Sequence, residues 1–392
     1  MSRHGRVLVA MSGGVDSSVA AVLLREEGYD VVGLTMKTWD HATTGGKAEG
    51  RARTSTKQVG CCSLEAMNDA RAVALRYDFP HFIVDLREEF GEAVVEGFTA
   101  EYLAGRTPNP CIHCNTHIKW AALLRRADAL GCEWIATGHY ARVRHDEECG
   151  RYVVGRGLDR NKDQSYALWG VEQAHLARSR FPLGHHTKPA IRQMAATFGL
   201  DHVAAKPDSY EICFIPDDDY RAFLTRRVPG LGARVAGGAF VLETTGEVVG
   251  RHRGYPFYTV GQRRGLDLAL GAPLYVTRID AETNTVYVGP KEALEGRALT
   301  ARGLVFGKAT HLYAERPATA QVRSRDAGAP CLVVQTSADE LEVVFEAPRT
   351  ALTPGQAVVL YDGDDVLVGG WIHAAVRAQE RDPLVELPVL AP

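Results

Sequence analysis

Val7-Leu8-Val9-Ala10-Met11-Ser12-Gly13-Gly14-Val15-Asp16-Ser17-Ser18 joins an apolar run to an amphipathic one through a turn of serine and glycine. Val7, Leu8 and Val9 read as a buried strand, and Val15, Val19, Val22 and Leu23 recur at helical spacing until Gly28 supplies a stop. The turn therefore falls at a helix N-terminus, where the first backbone N–H groups have no partner within the helix and carry partial positive charge. Gly13 and Gly14 put no Cβ between that backbone and an incoming pyrophosphate, while Ser12, Ser17 and Ser18 add hydroxyl donors. Asp16 is placed to orient a magnesium ion on the same phosphates. No lysine follows the glycines as a P-loop requires, and the spacing is not that of the dinucleotide turn. The pattern is S-G-G-x-D-S, a nucleotide cradle of another kind.

Outward from this turn the first half of the chain alternates strands and helices. A second strand is expected over 31–36, a polar loop over 38–60, a helix from Ser63 through Ala74, a strand at 82–84 and a helix over 88–103. Arg106-Thr107-Pro108-Asn109-Pro110 reads as a rigid extended turn, 115–130 as a helix, and 134–137 as a strand running into Gly138-His139-Tyr140. Such alternation predicts an α/β fold, a doubly wound parallel sheet covered by helices, with ligands at the carboxyl ends of its strands. From about Gly230 the period changes to two. Strands at 274–277 and 286–288 flank a polar turn at 280–284, and 332–334, 341–345, 357–361 and 366–368 are further short strands of a small C-terminal β-barrel.

At 392 residues the chain exceeds what one hydrophobic core usually serves, so two or three domains are expected. A formal charge of -3 offers no overall attraction to nucleic acid, so an RNA site must be a local basic patch. Arg125-Arg126, Arg251 with Arg253, Arg263-Arg264, and Arg323 with Arg325 are the candidates. No apolar run approaches membrane-spanning length and no secretory segment precedes the first strand, so no membrane association and a cytoplasmic location are expected. Eight cysteines, unevenly spaced, are too few for a secreted disulfide scaffold in a chain this long.

Pro110-Cys111-Ile112-His113-Cys114-Asn115 sets two thiols three residues apart just before a helix, where the dipole stabilises a thiolate; a lowered pKa is expected. C-x-x-C alone fits a redox pair, half a zinc site or an iron-sulfur ligand pair. Cys213 lies among apolar neighbours in Ile212-Cys213-Phe214-Ile215, the setting of an inert buried cysteine. Cys61-Cys62 read as packing or incidental exposure, Cys132, Cys149 and Cys331 stand alone with no role, and His185-His186 reads as a surface turn.

The S-G-G-x-D-S loop resembles the pyrophosphatase-type loop of enzymes that adenylate a carbonyl oxygen and displace AMP with a nucleophile. Together with Thr107-Pro108-Asn109-Pro110, Cys114-Asn115, Ala136-Thr137-Gly138-His139-Tyr140-Ala141-Arg142, Asn161-Lys162-Asp163-Gln164-Ser165-Tyr166, Ile212-Cys213-Phe214-Ile215 and Thr259-Val260-Gly261-Gln262-Arg263-Arg264-Gly265-Leu266, taken in this order, it makes nearly the whole chain resemble the tRNA-specific 2-thiouridylases. The resemblance implies a PP-loop ATP-pyrophosphatase domain of the adenine nucleotide alpha hydrolase type over 1–207, a small central tRNA-contacting domain over 208–290 and a β-barrel over 291–392. It implies ATP and Mg2+ as cofactors, with Ala10, Met11, Ser12, Gly13, Gly14, Val15, Asp16, Ser17, Met36 and Gly138 binding ATP. Cys114 is then the nucleophile and Cys213 the bearer of a persulfide, the two closing a disulfide in one version of the cycle. Asn109, Pro110 and Cys111 would meet the flipped target base, and His139, Lys162, Asp163, Gln164, Arg323, Ser324 and Gln356 would contact tRNA. The implied partners are a tRNA with a wobble uridine, of the Lys, Glu and Gln type, and a persulfide sulfur donor such as a cysteine desulfurase or a sulfur-relay protein.

Many members of that family carry Asp where this chain has Cys111. A thiol does not inherit an acid or base role, so Cys111 is open to three readings: catalytic, passive, or, with Cys114 and Cys213, a ligand of an iron-sulfur cluster whose open iron carries sulfide. The rival functions are a PP-loop amide-forming ligase, which would use ammonia and need no cysteine pair, and a non-catalytic ATP- or RNA-binding module.

Overall fold

The computed structural model describes residues 2–40, 63–207, 212–215, 219–350 and 352–377. Cys61-Cys62 and most of the polar loop expected over 38–60 lie outside them. The chain divides into two compact units, one of Met1–Val95 with Cys111–Asp218, the other of Glu96–Pro110 with Asp219–Pro392.

In the first unit β1 (Arg6–Ala10) is central because Val7, Leu8 and Val9 are fully buried, a run apolar on both faces as a covered parallel strand requires. It feeds α1 (Val15–Glu26), whose Val19, Ala20, Ala21 and Val22 are fully buried and which ends where Gly28 turns with φ +98°. Next come β2 (Asp30–Lys37), α2 (Leu64–Arg76) capped by the Ser63 hydroxyl, and β3 (His81–Asp85). A helical run follows, from α3 (Arg87–Phe90) through π-helical Gly91–Glu96 into α4 (Gly97–Leu103).

A second run opens at α5 (Pro110–His113), passes through π-helical Cys114–Lys119 and continues as α6 (Trp120–Ala129). This corrects the expected start at Asn115. Pro110 reads in sequence as a breaker, yet at the first position of a helix its fixed φ and missing N–H cost nothing. Both cysteines therefore stand inside the helical run rather than before it.

Strands β4 (Trp134–Ala136) and β7 (Ser179–Arg180) complete a parallel sheet of order β3-β2-β1-β4-β7, between them the hairpin of β5 (Ala141–Asp146) and β6 (Arg151–Arg156) and the short α7 (Gln173–Leu176). Pairing is parallel throughout. The chain order reverses between β1 and β4, so the carboxyl ends of these strands open the crevice where such sheets take ligands. Against α1 pack α8 (Lys188–Thr197) and α9 (Asp201–Ala204) through Ile191, Ala195, Leu200 and Val203.

In the second unit α10 (Tyr220–Arg227) and α11 (Leu231–Val235) precede β8 (Gly238–Leu242), β9 (Val248–His252), β10 (Tyr275–Asp280) and β11 (Thr285–Gly289), which form a sheet of order β10-β11-β8-β9. The expected hairpin is β10–β11, its turn closed by Asn284 at φ +51°. A barrel follows from β12 (Glu295–Phe306), β13 (Arg316–Gln321), β14 (Ala329–Ser337), β15 (Glu340–Thr350), β16 (Ala357–Asp362) and β17 (Asp365–Arg377), in the order β12-β15-β14-β13-β16-β17 and closed by pairing of β12 with β17. Closure removes the exposed edges that an open sheet would leave, and Leu299, Val333, Val343, Leu360 and Leu367 fill the interior. Two of its strands, β12 and β13, escape a period-two reading: Gly296 and Gly303 interrupt one and Pro317 stands second in the other. Among the described residues no helix is long and apolar enough to cross a membrane.

The fully buried Trp120 indole N–H donates to Ser179 Oγ at 2.8 Å, and that hydroxyl donates on to His175 O at 2.8 Å. Ser179→Ala leaves the indole without an acceptor in the core, so urea unfolding should report a loss of roughly 1–3 kcal/mol.

Candidate active site

The turn that opens the sequence reading lies at the carboxyl end of β1. Met11 anchors it to the neighbouring strand, its N–H donating to Leu34 O at 2.8 Å and its C=O accepting from the Thr35 hydroxyl at 2.8 Å. Ser12 and Ser17 close it from within: Ser12 N–H donates to Ser17 Oγ at 3.0 Å and the two hydroxyls meet at 3.2 Å. Gly14 is the N-cap of α1 and brings no side-chain cap, so no cap side chain occupies the first-turn N–H groups that a ligand could use. Ser18 Oγ is buried in that turn without a hydrogen-bond partner among the described residues.

Gly13 has φ +70°, and a Cβ there would lie 2.0 Å from the Ala66 carbonyl oxygen on α2. Gly138, just past β4, is as tightly placed: a Cβ would meet the backbone of Asp16 and Ser17 at 2.9 Å. Both glycines let backbone close on backbone around the start of α1, and this cradle fits the phosphates of a nucleotide. Met36 lies near the end of the adjoining β2. Ala10, Met11, Ser12, Gly13, Gly14, Val15, Asp16, Ser17, Met36 and Gly138 thus come to one end of one sheet, over β1, β2 and β4.

Asp16 holds a partner that sequence reasoning missed. Lys188 Nζ lies 2.8 Å from each of its carboxylate oxygens, and Tyr140 Oη donates to the same carboxylate at 2.6 Å. The lysine side chain is 9% exposed. Its local signal is slight: Thr187-Lys188-Pro189 reads only as a helix start, with Thr187 as N-cap.

Cys114 is buried and opens the π-helical stretch; Cys111, one turn earlier, reaches solvent. The lowered thiol pKa expected here is not found at Cys111. Desolvation by chain packed around it pushes the thiol up, against a weaker pull from the Lys119 ammonium. Its surface exposure means the packing falls short of enclosure. Asn115, next to Cys114, is locked in place, donating to Ala167 O at 2.9 Å and accepting from Lys119 Nζ at 2.8 Å.

Cys213 is half-buried beside Phe214, whose ring packs with Trp39 and Phe90 at centroid distances of 5.8 and 5.7 Å. Phe90 belongs to α3, and α3 packs on the Cys114–Lys119 stretch. An aromatic cluster therefore relays from the turn bearing Cys213 to the helix bearing Cys114. An open recess of about 560 Å³ adjoins it, walled by Trp39, Asp40, Asp85 and Arg87.

Among the described residues no group of three or more His, Cys, Asp or Glu side chains is placed to hold a metal ion.

Several of the residues expected at RNA make hydrogen bonds within the unit. His139 Nδ1 meets Thr137 Oγ1 at 2.6 Å between the rings of Trp120 and Phe181, and desolvation, with Lys119 adding, pushes its pKa down to about 3. Asp163 accepts from the N–H of Gly157 and Ser165, the Ser165 hydroxyl and Arg156, while Gln164 pairs with the Tyr140 backbone through its own N–H and its Oε1. Lys162 is half-buried on the same loop.

In the second unit, Gln356 Nε2 donates to Thr107 O at 3.0 Å and Pro108 O at 3.2 Å, and Thr107 N–H donates to Pro354 O at 3.1 Å. Two prolines leave the Thr107–Pro110 stretch unable to form its own ladder, and this brace supplies its partners. Asn109 and Pro110 follow directly along the chain. Arg323 and Ser324 stand exposed on a turn whose carbonyls both accept from Gln321 Nε2, at 3.0 and 3.2 Å, and which Asp326 closes by an ion pair with Arg349 at 2.5 Å. Arg263-Arg264 are likewise presented on a turn held by Gln262.

Three family descriptions match: a tRNA methyl transferase HUP domain over residues 5–217, a tRNA methyl transferase PRC-barrel domain over 222–290 and an aminomethyltransferase beta-barrel domain over 297–372. The tRNA-specific 2-thiouridylase MnmA of Salinibacter ruber is 66% identical over 381 residues, covering 97% of this chain and 97% of that protein. Its counterpart from Amoebophilus asiaticus is 55% identical, covering 96% and 97%, and that of Cytophaga hutchinsonii 53% identical, covering 96% and 100%.

Gly13→Ala sets a methyl group against the Ala66 carbonyl in a left-handed backbone, so calorimetric titration should show ATP affinity falling by at least about ten-fold. His139 titrates far below its ordinary 6.5, so an unfolded chain takes up a proton that the folded one refuses. Stability from this residue is complete above about pH 6.5 and is lost as pH falls toward about 3; His139→Gln should flatten that part of a denaturation-versus-pH curve.

Proposed function

The chain belongs to the tRNA-specific 2-thiouridylase family, and from that premise we propose that its S-G-G-x-D-S cradle opens ATP at the α-phosphate to activate the wobble uridine of a tRNA for thiolation through Cys213 and Cys114. It is a tRNA-uridine 2-sulfurtransferase. The reading is carried by one observation: an uncapped helix N-terminus ringed by Gly13, Gly138 and Ser17, on the same α/β unit as an aromatic cluster leading from Cys213 toward the helix of Cys114.

Oxygen is a poor leaving group from uridine C2. In the first step O2 bonds to the α-phosphorus and pyrophosphate departs with the electron pair of the broken P–O bond, its charge met by the N–H groups of α1. In the second, the terminal sulfur of a Cys213 persulfide attacks C2 and AMP leaves. Cys114 then attacks Cys213 Sγ, the S–S bond to the transferred sulfur breaks, and C2 keeps a thiocarbonyl. The product enzyme holds a Cys114–Cys213 disulfide, which a thiol reductant must open before the next cycle. Mg2+, when bound, would sit at the Asp16 carboxylate and draw charge from the phosphates. No step passes through an iron-sulfur cluster, and Cys111 takes no acid or base role.

The tRNA is one with a wobble uridine, of the Lys, Glu and Gln type, and the persulfide comes from a cysteine desulfurase or a relay protein in the cytoplasm. A loop uridine is easily extruded, and Arg263, Arg264, Arg323 and Ser324 stand exposed for the tRNA phosphates. An ammonia-using ligase would give the paired cysteines nothing to do.

Cys213→Ser should abolish thiolation, read by mass analysis of tRNA nucleosides, while ATP and tRNA binding stay within about two-fold. Sulfur incorporation persisting in that variant would overturn the persulfide assignment. Cys111→Ala should keep most of the activity; a loss of several hundred-fold would restore a chemical role to that thiol.

A further inference from the structure

We propose that Lys188 is a ligand of the departing pyrophosphate: its ammonium rests on Asp16 when no nucleotide is present and engages the β- and γ-phosphates of ATP when it binds. This deepens the nucleotide reading of the S-G-G-x-D-S cradle and rests on it.

A lysine that is 9% exposed is an expensive group, and this one stands where its helix helps least. Lys188 opens α8, and a cation in the first turn of a helix opposes the dipole. A strut joining α8 to α1 needs no charge there, since Ile191 and Ala195 already pack on the α1 core. The ammonium lies at that point on the Asp16 carboxylate, at 2.8 Å to both oxygens. That carboxylate lies in the first turn of α1, beside the backbone that Gly138 approaches.

The ends of α1 and α8 thus bring two positive dipole ends and one ammonium to Asp16, a setting that suits the charge of a polyphosphate. Tyr140, which donates to Asp16 at 2.6 Å, keeps the carboxylate in place while the lysine turns, and leaves Asp16 a free oxygen for a metal ion. Buried Ser18 Oγ, unpartnered among the described residues, is a further donor in the same turn. When the α-phosphorus to bridging-oxygen bond breaks, its electron pair goes to pyrophosphate, and Lys188 meets the charge that grows there.

Calorimetric titration of the full chain with Mg-ATP, AMP and inorganic pyrophosphate tests this without tRNA or a sulfur donor. Lys188→Met should weaken ATP and pyrophosphate about ten- to a hundred-fold and AMP less than about three-fold, and Lys188→Arg should recover most of the loss. Equal weakening of AMP and ATP, or no weakening of either, would overturn the proposal and leave Lys188 a strut. Should Lys188→Met fail to fold, the wild-type chain decides: pyrophosphate should slow acylation of Lys188 several-fold and AMP should not. Protection by AMP alone, or by neither, counts against it. A wild-type chain that takes up neither ATP nor pyrophosphate removes the nucleotide reading itself, a result distinct from a lysine that binding ignores.

Discussion

Helix α1 starts without a side-chain cap, and the first unit is built around that omission. A helix that begins on glycine leaves its first N–H groups to whatever comes next, a cost normally relieved by Ser, Thr, Asp or Asn at the N-cap. Here the serines point elsewhere: Ser17 ties back to Ser12, and the turn is kept open. The sheet places it at the reversal of strand order, Gly13 and Gly138 let α2 and the end of β4 close on it, and Lys188 with Tyr140 fixes its acidic residue.

Chemistry at the second half of the site depends on a different kind of restraint. Cys213 is positioned by the packing of the ring next to it, and Cys114 by a helical run loosened into a π turn at that residue. Such π segments recur at functional sites because the wider turn re-aims a side chain without ending the helix. Asn115 spans the widened turn by bonding Ala167 on one side and Lys119 on the other.

Local features were the legible ones. The strand, turn and helix around Ser12 and Gly13 are set by neighbours in sequence, and so are the alternation of the first half and the hairpin of β10 and β11. What escaped depends on distance. Lys188 is 172 residues from Asp16, and Gln356 is 249 from Thr107, so no window of sequence contains both partners. Gln356 is expected at tRNA from the resemblance alone; the fold shows its amide donating to two carbonyls. Pro110 misled in another way, since a proline marks a helix's first residue as readily as its last neighbour. Cys111 misled through its surroundings: the neighbouring helix is visible in sequence, the desolvation that pushes the thiol up is not.

The brace between Gln356 and Thr107 bears on synthesis. Ribosomes deliver the chain from its N-terminus, so the proline-rich stretch emerges with its carbonyls bare and waits for Gln356, 249 residues after Thr107. Within the second unit, this brace forms only after Gln356 has been made. A premature stop in the barrel before Gln356 therefore does more than remove a peripheral module, because it also strips the scaffolding from a stretch translated long before.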